Sequence, residues 1–177
     1  MKKTVLTYGL IAGAIVSAWL MIAMQIGHEN MDGDMGMFYG YTAMLVAFAF
    51  IFVAVKSDRK ENGEIISFGK AFRIGLYITL IASTLYVLAW LVTYYFFIPD
   101  FMDKYVASAI EQLRANGASA AEIANERAEM SQYIEWYKNP LFVVLLTYME
   151  ILPVGLVLSV IAAAILKRKE AGSAVYN

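Results

Sequence analysis

"LFVVLLTYMEILPVGLVLSVIAAAIL", residues 141–166, carries one charge, Glu150, and meets no other until Lys167. A bilayer core about 30 Å thick needs roughly 20 apolar residues in helical form, so this stretch is long enough to span one. Glu150 stands nine residues into it, ~13 Å along a helix that rises 1.5 Å per residue, and so near mid-depth. A carboxylate at that depth is either a working group or a liability that neighbouring helices must neutralise.

Three further runs of the same kind lie upstream: "TVLTYGLIAGAIVSAWLMIAMQI" at 4–26, "MFYGYTAMLVAFAFIFVAV" at 37–55 and "FRIGLYITLIASTLYVLAWLVTYYFFI" at 72–98. With 60% hydrophobic and 16% charged residues over 177 positions, the composition is that of a membrane protein. The expected fold is all-α: one domain over residues 1–177, a four-helix transmembrane bundle with an extracytoplasmic helical hairpin between the third and fourth spans. Lys2 and Lys3 ahead of the first run resemble a secretion signal, but the run exceeds the about 7–15 residues of such a core, so it is read as retained.

Charge distribution gives the expected direction of the spans. Ten of the 14 basic residues (Lys2, Lys3, Lys56, Arg59, Lys60, Lys70, Arg73, Lys167, Arg168 and Lys169) fall on the side of the two termini. Only Lys104, Arg114, Arg127 and Lys138 fall on the other, among ten acids. The excess of Lys and Arg marks the cytoplasmic side and places both termini there. Phe38, Tyr39, Tyr41, Trp90, Tyr94, Tyr95, Phe96 and Phe97 cluster at the opposite ends, where aromatic rings favour the headgroup layer.

The chain has no cysteine, which excludes disulfides, thiolate metal sites and Cys nucleophiles. No basic patch remains for nucleic acid once the topological charges are assigned. No phosphate-binding loop, dinucleotide fingerprint, catalytic triad or zinc-protease motif is present, and neither enzyme activity nor a cofactor is expected.

Residues 99–140 read as two helices. The first opens near "PDF" at 99–101, carries Phe101, Tyr105, Ala109 and Leu113 on one face, and closes at Gly117. The second opens at "SAAE", where Ser119 and Glu122 have capping-box spacing, and carries Ile123, Met130, Ile134 and Tyr137. Such a hairpin caps the bundle, and its acidic faces offer a docking surface for a periplasmic or membrane protein partner.

Around Glu150 the sequence offers Pro153, whose ring removes a backbone bond to the preceding turn, and the hydroxyls Thr79, Ser83, Thr84 and Tyr86. Together these would form a proton or cation site; the simpler reading is a single interhelical hydrogen bond. Small residues four apart mark packing seams: Gly9, Gly13 and Ser17; Gly36 and Gly40; Gly75 with Thr79 and Ser83; Gly155 and Ser159. They serve internal packing or, less simply, homo-oligomerisation. "HENMDGDMGM" at 28–37 holds His28, Asp32 and Asp34 among methionines, a set of metal donors without metal-site spacing, so a structural turn is expected. The connector after the second span has a turn at "ENGE" and a short amphipathic entry, Phe68 and Phe72, into the third.

Several stretches together, "GYTAMLVAFAFIFVAVKSDRKENGEIISFGKAFRIGL", "YYFFIPDFMDKY" and "EILPVGLVLSVIAAAILKRK", resemble the small bacterial membrane proteins grouped as domain of unknown function 4199, widespread in Bacteroidetes and other Gram-negative bacteria. The resemblance implies a four-helix protein of the inner membrane and no particular activity. Its recurrent features fall on Ser67 to Phe72, Pro99 to Phe101 and Glu150 to Gly155. The expected function is therefore a non-enzymatic scaffold or regulatory protein, whose partners are the lipid bilayer and other copies or envelope proteins. The alternative is a small proton- or cation-coupled transporter or channel-like oligomer using Glu150.

Overall fold

The computed structural model describes residues 1–26 and 33–168, and these are helical almost throughout. In chain order the elements are α1 (Lys2–Ile26), α2 (Gly33–Glu61), α3 (Phe68–Val92), a π-helical turn (Thr93–Phe97), α4 (Phe101–Ala115), α5 (Ala120–Tyr137) and α6 (Pro140–Leu166). Four of them, α1, α2, α3 with its π turn, and α6, are long and apolar enough to cross a membrane.

The four long helices pack as a ring in the order α1, α3, α6, α2, with α2 and α3 also touching across it. Glycines set the closest approaches. A Cβ on Gly75 would come within 2.6 Å of Ser159 Oγ, and one on Gly155 within 2.7 Å of Thr79 Oγ1, so α3 and α6 meet nearly backbone to backbone and antiparallel. Gly9 lies against Ile81 and Gly13 against Leu85, equal offsets that make α1 and α3 parallel. Close approach compensates for the missing hydrophobic drive between helices in lipid.

Phe48, Ile51, Ile74, Ile78, Ile151 and Val143 fill the centre and are inaccessible. The perimeter is equally apolar: Leu6, Leu45, Leu88, Met149, Val157 and Ile165 are all exposed, Met149 at 72%. In water a surface of this kind would drive aggregation, whereas against hydrocarbon it is the matched solvent.

The structure extends two elements beyond the apolar runs. α2 continues to Glu61, six residues past the run that ends at Val55, because Asp58 is taken up by partners. Its carboxylate is 1% exposed; Oδ2 lies 2.6 Å from Lys70 Nζ and accepts from Asn62 Nδ2 at 3.1 Å, while Oδ1 lies 3.3 Å from the Met1 amine. The chain then reverses through Gly63 and Glu64, at φ 67° and 65°. α3 begins at Phe68, earlier than the run at 72, because Ser67 Oγ accepts from the Lys70 amide at 3.3 Å and caps it. Phe68 and Phe72 stack with ring centroids 6.2 Å apart. Ile66 and Arg168 exchange backbone hydrogen bonds of 3.1 and 2.9 Å, and Arg59 donates to the Leu166 carbonyl at 3.4 Å. The connector is thus fastened to the end of α6.

α4 and α5 pack on each other. Gly117, at φ 80°, ends the first, and a full capping box begins the second: Ser119 Oγ accepts from the Glu122 amide, and the Glu122 carboxylate accepts from the Ser119 amide at 2.7 Å. The Ser119 amide and hydroxyl, each donating to the Glu122 carboxylate at 2.7 Å, hold that carboxyl below its ordinary value. The inward face of α4 is one residue out of step with the expected stripe. Met102 and Ile110 are its buried residues, while Tyr105 is exposed. The apolar band of α4 is broad enough that its centre is chosen by the surface beneath it. Ile134 and Tyr137 of α5 pack partly against the core, and Asn139 caps α6 by accepting from the Leu141 amide at 3.0 Å.

Candidate functional site

Polar groups concentrate at two ends of the long helices. At one end Asp58 gathers Lys70, Asn62 and the Met1 amine. At the other, α3 and the π turn that continues it present Tyr86, Trp90 and Tyr94 four residues apart, all buried, opposite Glu150 of α6 and Tyr137 at the end of α5.

Tyr86 donates its hydroxyl to Glu150 Oε1 at 3.5 Å, the long limit of a hydrogen bond. Burial, reinforced by the Glu150 carboxylate, pushes the Tyr137 phenol up to about 12. Tyr94 meets Tyr137 edge-on at 5.4 Å and Trp90 at 6.0 Å. The π turn begins at Thr93, next to this cluster; such turns recur at functional sites because they shift side chains out of helical register.

Glu150 and Tyr86 line a cavity of about 130 Å³, whose other walls come from α1 and α2 and include Trp19, Leu20, Met24 and Met44. Glu150 keeps accessible surface, so the carboxylate is not sealed inside the helices. Among the described residues it makes no ion pair.

The structure divides the polar residues singled out in the sequence. Only Tyr86 joins Glu150. Thr79 pairs with Ser159 across the α3–α6 contact at 3.3 Å, and Thr84 bonds Tyr148 at 2.8 Å on the exposed side. Ser83 is buried, and its Oγ has no hydrogen-bond partner among the described residues. Pro153 is exposed, and α6 continues through it. These groups therefore do not converge on one site: Thr79 shares the buried face of Tyr86 but lies two turns away along α3, Thr84 is turned to the exposed side, and Pro153, one turn beyond Glu150, offers no polar side chain.

The small residues divide likewise. Gly9, Gly13, Gly75, Gly155 and Ser159 lie at close helix contacts. Ser17 is half-buried, its Oγ without a partner among the described residues. Gly40 does not form a tight seam: a Cβ there would meet nothing within 4 Å, and Gly36 and Gly40 instead line the cavity. Of the metal candidates, His28 and Asp32 lie outside the described residues, as does the side chain of Asp34. Among the described residues no three His, Cys, Asp or Glu side chains gather as a metal site would require.

The family model described as protein of unknown function (DUF4199) matches residues 7–168. The chain belongs to the DUF4199 family. The matched range takes in both polar ends, with Asp58, Lys70, Tyr86 and Glu150 inside it. No curated protein and no solved structure matches the chain.

Proposed function

We propose that this DUF4199 protein is a multi-pass protein of the bacterial inner membrane that acts by holding a partner, without catalysing a reaction or conducting ions. In this reading the four long helices form a transmembrane bundle, both termini and the Asp58 cluster are cytoplasmic, and α4 and α5 form an extracytoplasmic hairpin over the aromatic end. The charge asymmetry and the aromatic belt support that direction.

The observation that carries the functional reading is the layer between the two polar ends. Phe48 and Ile51 of α2, Ile74 and Ile78 of α3 and Ile151 of α6 are all inaccessible, and they separate the Asp58 end from Glu150. A conduit needs a continuous series of polar groups, and among the described residues α3 and α6 offer between the two ends the Thr79–Ser159 pair, bonded to each other, and the isolated Ser83 hydroxyl. Chemistry needs convergent groups, and the hydroxyls here do not converge: Thr79 bonds Ser159, Thr84 bonds Tyr148, and Ser83 stands without a partner among the described residues. What is left to act is the exposed surface of α4 and α5, rich in charges of both signs.

One observation favours the second reading, a proton- or cation-coupled transporter: Glu150 borders a cavity. Reconstitution separates the two. Liposomes containing the protein should pass protons and monovalent cations no faster than empty ones, while a photocrosslinker at Asn125, on the exposed face of α5, should capture an envelope protein in cells. Arg114→Glu with Arg127→Glu should abolish that adduct. Flux that Glu150→Gln removes would overturn the holding role in favour of transport, and adducts confined to lipid would leave the hairpin without a partner and overturn it too.

A further inference from the structure

We propose that the cavity bounded by Glu150 is a binding site for a small organic monocation, an amine or quaternary ammonium with a compact apolar body. This goes beyond the partner-holding role and does not depend on it.

Size sets the first limit. A cavity of about 150 Å³ lined by apolar side chains accommodates benzene. At about 130 Å³ this one suits a body of comparable or slightly smaller bulk. A proton needs no such volume.

Charge sets the second. The Glu150 carboxylate offers four acceptor positions, of which the long Tyr86 contact occupies one, and no described cation pairs with it. An anion would meet repulsion from Glu150. A hard metal ion would find one carboxylate and one phenol where it requires about six oxygen ligands.

The walls set the third. Trp19 and Tyr86 bring aromatic rings, and Met24 and Met44 soft apolar surface, to the same space as the carboxylate. Aromatic faces attract alkylammonium groups, and apolar walls favour the alkyl part, so the lining rewards a cation that carries carbon and not a bare one.

The fourth observation concerns α2. A glycine within a helix costs stability, and the usual return is a close helix contact. Gly40 makes none: the space over its Cα is open and belongs to the cavity. Its lack of a side chain keeps that volume free.

The test uses the full chain in lipid nanodiscs, tetramethylammonium as the probe, and equilibrium dialysis at constant ionic strength in sodium chloride. One saturable site is expected, insensitive to the neutral isostere tert-butanol. Glu150→Gln should weaken it by about tenfold or more, since it removes the counter-charge from a partly desolvated pair. Gly40→Leu should abolish it by filling the cavity while leaving the melting temperature close to that of the parent, which keeps the test valid should Glu150→Gln fail to fold. Absence of saturable binding to the parent protein overturns the proposal. So does binding that survives Gly40→Leu in folded protein, or that potassium displaces as effectively as tetramethylammonium. None of these results bears on the crosslinked adduct at α5, so the two readings fail separately.

Discussion

Lys70 Nζ lies 2.6 Å from Asp58 Oδ2, across the turn that joins the second and third helices, and the carboxylate beneath it is 1% exposed. The pair converts what reads as a charged loop into a fixed joint between α2 and α3. Met1 and Asn62 complete the set around the carboxylate, so three separate parts of the chain meet on one buried acid.

Removing one member should leave an uncompensated buried charge. Lys70→Met is expected to destabilise by on the order of 2 kcal/mol, below the 3–5 kcal/mol of a fully buried pair because Lys70 is itself 29% exposed and the Met1 amine remains. Asp58→Asn with Lys70→Met together should cost less than the two single changes summed, a coupling that a thermal double-mutant cycle in detergent would read. Additive losses would mean that the contact does not contribute.

The glycines should separate sharply by position. Gly75→Val forces atoms against the Ser159 backbone and is expected to cost about 1–3 kcal/mol or more, as overpacking does. Gly40→Ala meets open space and should be neutral or stabilising by up to about 1 kcal/mol, because alanine orders a helix more cheaply. Comparable losses at both positions would contradict the assigned faces.

Acid should loosen one specific helix end. Glu122 has a folded pKa depressed below its ordinary value of 4.5 by the two Ser119 bonds. A depressed carboxylate contributes stability that is present above the unfolded pKa and is lost as pH falls through the folded one. Hydrogen exchange at the first turn of α5 should therefore accelerate as pH drops below about 4.5, after correction for intrinsic rates, with α6 unaffected. Glu122→Gln should remove the pH dependence, and an unchanged profile would show that the cap is not held by the ionised form.

What the sequence made legible follows the range of the interactions. The Ser119–Glu122 box and the Gly117 stop depend on residues within a turn of one another, and their spacing announced them. The long helices were equally plain, since apolar length needs no tertiary knowledge. Asp58 was missed because its partner Lys70 is 12 residues away and the intervening stretch is composed like a solvated loop. Gly36 and Gly40 looked like a packing seam because small residues at that spacing read the same whether they face a helix or a cavity. Tyr86 was among the candidate partners of Glu150, but Thr79 and Ser83 share its buried face at other levels of α3 and Thr84 lies on the opposite side, and which level and side meet Glu150 is fixed by packing across helices.

The central claim is that the chain crosses the membrane four times with the Asp58 end inside and α4 and α5 outside. Because the chain has no cysteine, single substitutions report position without background. Asn125→Cys and Glu61→Cys, both at exposed positions, should be treated with a membrane-impermeant maleimide before and after permeabilisation of spheroplasts. The account predicts labelling at 125 in intact spheroplasts and at 61 only after permeabilisation. Labelling at 61 in intact spheroplasts, or equal labelling at both, would contradict it.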